Sequence, residues 1–129
     1  MGWLARRRNA ASDRMLIAHS LTACVATLLG HGRDDDLPAA VRRHYPRATD
    51  ERIAAAVTRY QELSKRAYYL CAYDHRADRH EHTADEIRST ITREFPDYPH
   101  EVLNRAIARG YHDGFLHRSE ERRVGKECW

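Results

Sequence analysis

Apolar residues recur at helical spacing through three long stretches of the chain, and polar or proline-bearing breaks separate them. In the first, Leu16, Leu21, Cys24, Val25, Leu28 and Leu29 make one stripe. Ser12 is a good N-cap before it and Gly30 a stop after it, so the pattern predicts a helix over about 12–30. "GHGRDDD" at 30–36 breaks the pattern, Asp36 can cap the next helix, and Pro38 fits its first turn. A short helix over 37–44 then stops at Tyr45-Pro46, because the residue before proline is pushed out of the helical region.

From Thr49, the apolar positions Ile53, Val57, Tyr60, Leu63, Ala67, Leu70 and Cys71 predict a long helix continuing to about Arg76. "DHRADRHEH" at 74–82 is read as a polar connector. "TADE" at 83–86 is a capping box, in which Thr83 and Glu86 each satisfy part of a helix start. The short helix it opens ends at Phe95-Pro96. A last one over about 99–116 turns Val102, Leu103, Ala106, Ile107 and Tyr111 inward. The expected fold is all-α with five helices.

The two short-long pairs are copies of one unit. At a shift of fifty residues, Leu37 falls on Ile87, Val41 on Ile91, Arg43 on Arg93, Tyr45 on Phe95 and Pro46 on Pro96. The same shift sets Glu51 on Glu101, Ile53 on Leu103, Val57 on Ile107 and Arg59 on Arg109. Each copy is a helix closed by an aromatic-proline corner, a short turn, and an acidic first turn that suits the dipole of the next helix. The expected organisation is a single helical domain over 1–117: an N-terminal helix, a first repeat over 37–76 and a second over 83–117. Tyr45, Phe95, Ile53, Leu103, Val57 and Ile107 are the expected core.

The closing stretch "HRSEERRVGKECW" reads as a charged, helix-compatible run with Gly125 as a stop. Arg118 to Cys128 also resembles, word for word, the conceptual translation of a common short-read sequencing adapter. That resemblance implies that 118–129 is a non-native tail and that the native chain was cut near His117, with Trp129 not accounted for. Setting the tail aside removes four basic and three acidic residues from 129 and leaves 18 Lys+Arg against 16 Asp+Glu. So small an excess does not by itself imply nucleic acid.

"FPDYPHEVLNRAI" at 95–107 resembles the join between the first two helices of CUE and UBA-like modules, with a second copy starting at Tyr45. The resemblance implies partner contacts at Phe95 and Pro96, and by the repeat at Tyr45 and Pro46. A third helix that completes the binding surface in those families is not visible after Leu116. The expectation is a non-enzymatic protein-interaction module that binds an unknown protein or a second copy of itself and needs no cofactor. The alternative is a nucleic-acid-binding protein of helix-turn-helix type, in which Arg42, Arg43, Arg52, Arg59 and Arg66 form a basic stripe with Arg6, Arg7 and Arg8. Asp34, Asp35, Asp36, Asp50, Glu51 and Glu62 interleave with that stripe.

Other chemistry is thinner. Cys71 and His75 share a helix face at i,i+4, and His80 and His82 could complete four metal ligands, but the spacing matches no recognised zinc motif and Arg76 and Arg79 would oppose a cation. Ser20 beside His19, Cys24 and Cys71 are the available nucleophiles, without an elbow, a phosphate loop or an HExxH. Cys24 and Cys71 form no paired framework, so a reducing, cytoplasmic compartment is expected. The apolar run 15–29 is too short to span a bilayer.

Overall fold

The computed structural model describes residues 2–31, 36–74 and 76–127, with side chains described over 11–31, 36–74 and 76–113. It is helical, as the periodicity requires. Among the described residues there are six helices: α1 (Gly2–His19), α2 (Leu21–Gly30), α3 (Leu37–Arg42), α4 (Asp50–Leu70), α5 (Ala84–Glu94) and α6 (His100–Glu127). A two-residue hairpin joins β1 (Tyr73–Asp74) to β2 (Arg79–His80) in antiparallel register, with Tyr73 opposite His80. None of the described helices is long and apolar enough to cross a membrane.

Three local expectations are corrected. The first helix over 12–30 is two helices, because Ser20 adopts an extended conformation and its Oγ accepts from the Ala23 N–H at 3.0 Å. Ser20 is therefore the cap, while Ser12 lies inside α1 and donates to the Glu101 carboxylate. Asp36 caps α3 through its backbone carbonyl, which accepts from the Ala40 N–H at 3.1 Å, and makes no side-chain cap bond. The long central helix ends at Leu70 instead of Arg76. Beyond it, Asp74 Oδ1 accepts from the backbone of Arg76 at 2.9 Å and Ala77 at 3.3 Å, and Asp78 takes a left-handed φ of 54°. A short polar residue tolerates that conformation and turns the connector into the hairpin.

Other signals are met in part. Thr83 Oγ1 accepts from the Glu86 N–H at 3.2 Å, as the capping box requires, but the Glu86 carboxylate faces His82 Nδ1 at 3.4 Å. At the first corner the Tyr45 N–H donates to Val41 O at 2.8 Å, and at the second the Phe95 N–H donates to Ile91 O at 2.9 Å. The last helix departs from its expectation: it runs to Glu127, eleven residues beyond the expected end at Leu116 and past Gly125, the expected stop.

The chain divides into two compact units, Met1–Gln61 with Asp97–Val102, and Glu62–Pro96 with Leu103–Trp129. In the first, α1 packs on α2 and α2 on α3. Its core joins Cys24, Val25 and Leu28 to Ala40, Val41, Ala48, Ile53 and Ala56, with Ile17, Leu21, Tyr45 and Val57 partly buried against it. In the second unit Leu63, Ala67, Cys71, Ile87, Ile91, Phe95 and Leu103 are buried. There α4 and α6 approach closely at Gly110: a Cβ on that residue would lie 2.9 Å from the Ala67 carbonyl oxygen and 3.2 Å from Cys71 Sγ. Of the six residues expected in the core, Ile53, Leu103 and Phe95 are buried, and Tyr45, Val57 and Ile107 are half-buried.

Candidate interaction surface

The segment between α3 and α4, Arg43 to Thr49, is held from three sides. Pro46 cannot donate a backbone hydrogen bond, so the chain turns, and the Ala48 N–H closes the turn on Tyr45 O at 3.0 Å. Arg42 Nε donates to Ala48 O at 3.1 Å, and its Nη2 donates to the Asp50 carboxylate. The Tyr45 hydroxyl donates to Ile17 O at 2.6 Å, which pins the ring to α1. Burial raises the Tyr45 phenol above its ordinary pKa, with a smaller contribution from the Cys24 thiol, so it keeps this proton.

Two depressions flank the pinned ring. One, of about 360 Å³, has apolar walls from Leu21, Tyr45, Pro46 and Ala48 and a polar edge of His44, Arg47 and Arg52. The second, of about 320 Å³, shares His44 and Tyr45 and adds Arg14, Ile17 and Ala18. Every ionisable residue lining them is a base or the phenol. Arg47 and Arg52 are exposed, and neither forms an ion pair with another described residue.

The second corner differs. Phe95 is buried at 4% exposure, whereas Pro96 is exposed. Asp97, next in sequence, takes two hydrogen bonds from Arg59, Nε to Oδ2 at 3.2 Å and Nη2 to Oδ1 at 2.9 Å. This donation holds the Asp97 carboxyl below the usual range against the opposing effect of its partial burial. Of the four expected partner contacts, Tyr45 and Pro46 therefore line a depression, Pro96 stands on the surface, and Phe95 is an interior residue. Leu21, His44, Arg47 and Arg52 were not singled out by sequence reasoning as parts of a site at the corner, although the run "RRHYPRATDER" carried the signal.

Three of the five described arginines of the basic stripe are tied into the structure. Arg42 is tied to Ala48 and Asp50, Arg59 to Asp97, and Arg66 to Glu94 through Nε at 3.1 Å and 3.2 Å. Arg43 and Arg52 are exposed, and the side chains of Arg6, Arg7 and Arg8 lie outside the described residues.

The reactive groups are equally committed. Cys24 and Cys71 are buried, and burial pushes both thiols up to about 11, away from the thiolate that a nucleophile requires. Cys71 Sγ lies 3.6 Å from Ile107 O, a weak hydrogen bond. His80 instead packs edge-on between Tyr73 and Tyr111, with ring centroids 5.2 Å and 5.0 Å away, and His82 faces Glu86. His75 lies outside the described residues. Among the described residues no three His, Cys, Asp or Glu side chains group as a metal site. The Ser20 hydroxyl is occupied as a helix cap.

Comparison with protein-family models, with curated proteins and with solved structures finds no match.

Proposed function

We propose that this chain is a small helical interaction module whose docking surface is the Tyr45-Pro46 corner. What carries the reading is one arrangement: an apolar-walled depression at an exposed proline, edged by Arg47 and Arg52 with no ion-pair partner among the described residues. A structural corner has no need for two such cations beside apolar walls; a docking surface combines buried contact area with charges that choose the partner. The nucleic-acid alternative loses the guanidinium groups of Arg42, Arg59 and Arg66, which carboxylates already neutralise.

We also read the two corners as copies of one unit that have diverged. In support, the same backbone bond, from the aromatic N–H to the carbonyl four residues earlier, closes both α3 and α5. Val41 and Ile91 are both fully buried, Ile53 and Leu103 are both buried, and Pro46 and Pro96 are both exposed. On this reading the first copy keeps its aromatic residue accessible for docking, and the second uses its own as a core anchor.

The experiment is a binding comparison with the full chain. A labelled DNA duplex of random sequence, measured at low ionic strength and again as salt rises, is expected to show no steeply salt-dependent binding. Affinity capture with the same chain is expected to recover a protein, or a second copy, that Arg52→Glu releases. Duplex binding abolished by salt, or capture indifferent to every corner substitution, would reverse the assignment.

A further inference from the structure

We infer that the Tyr45-Pro46 depression takes an acidic peptide segment carrying one apolar anchor side chain. This rests on the docking function proposed above and specifies the partner. The walls formed by Leu21, Tyr45, Pro46 and Ala48 offer a volume of about 360 Å³, enough for one large apolar side chain but not for a helix laid along it. Arg47 and Arg52 stand at the edge of the same depression, where guanidinium groups can grip carboxylates in forked pairs.

Charge complementarity decides the occupant. Among the described residues no carboxylate lines either depression, and the exposed guanidinium groups of Arg47 and Arg52 are the charges that a bound segment meets at the edge of the first. A basic segment would meet like charge at both arginines, and a neutral one would leave them unused. A nucleic acid needs cations continued along a backbone track, and the next arginines of the stripe, Arg42 and Arg59, are paired with Asp50 and Asp97. Tyr45 cannot swing out as a stacking platform without breaking its bond to Ile17 O.

The test selects peptides from a random-sequence display library on the immobilised full chain, then measures synthetic copies in solution. Wild type is compared with the Arg47→Glu/Arg52→Glu double variant, whose exposed sites keep the fold intact, as helical circular dichroism verifies. The expected peptides place Asp or Glu on both sides of a Leu, Met or Phe and bind the double variant at least roughly tenfold more weakly. Copies with Lys in place of Asp and Glu are expected to prefer the double variant. Neutral or basic peptides that Leu21→Asp abolishes would overturn the acidic partner while keeping the docking site. A library yielding no peptide sensitive to corner substitutions would overturn both. An oligonucleotide whose binding the double variant loses would transfer the surface to nucleic acid.

Discussion

Phe95 and Tyr45 each donate a backbone N–H to the carbonyl four residues earlier, yet the first is enclosed and the second is half-buried with its hydroxyl tied to Ile17 O. Removing an enclosed aromatic ring loses its transfer free energy and leaves a cavity, so Phe95→Ala is expected to cost about 3–5 kcal/mol in denaturant titration. A variant as stable as the parent would put Phe95 on the surface. Asp97 has a smaller, pH-dependent effect. Its folded pKa is depressed by Arg59, so its contribution is present above the ordinary carboxylate pKa and is lost as pH falls through the folded value. Asp97→Asn should therefore trail the parent at neutral pH, by under about 1 kcal/mol because the pair is partly exposed, and match it in strong acid. Melting both proteins from pH 7 to 2 checks the sign: a gap that widens in acid would contradict it. The aromatic-proline corners were legible because proline constrains its neighbour locally, whereas which aromatic was enclosed depended on packing that dipeptide patterns do not contain.

Helices of the expected kind formed wherever the apolar spacing was long and capped, and the discrepancies came from short polar side chains. Ser20 sits inside an apolar run with no change of period, so only its side-chain bond to the Ala23 N–H reveals the division between α1 and α2. The β1–β2 hairpin depends similarly on Asp74 and Asp78, within a stretch whose polarity read as featureless. The approach of α4 and α6 at Gly110 gives an element-scale prediction. Alanine is favoured over glycine by about 1 kcal/mol in a helix, but here its Cβ would press on the Ala67 carbonyl, an overpacking cost of about 1–3 kcal/mol. Gly110→Ala is expected to be less stable than the parent in urea; a more stable variant would mean the helices stand further apart. The end of α6 gives another. If Arg118 to Trp129 comes from adapter read-through, its side chains were never fitted to a fold, and deleting 118–129 should change stability by no more than about 0.5 kcal/mol. A deletion that unfolds the protein would make the segment native.

Across the whole molecule, the two compact units are not consecutive in sequence: the chain passes between them within α4, at Pro96-Asp97, and within α6. The helical class was readable from periodicity. The depression at Tyr45 was not, because it joins Leu21 to residues more than twenty positions later, and no spacing rule connects them. Only the basic residues around "HYPR" marked the place. The most direct measurement of the docking claim is a titration of isotope-labelled full chain with a peptide selected on it, followed by amide chemical shifts. Shifts concentrated at Leu21, His44, Tyr45, Arg47, Ala48 and Arg52 are the expected result. Saturable binding that leaves those amides unmoved, and shifts instead the Arg66, His82 and Arg93 face of the other unit, would contradict it.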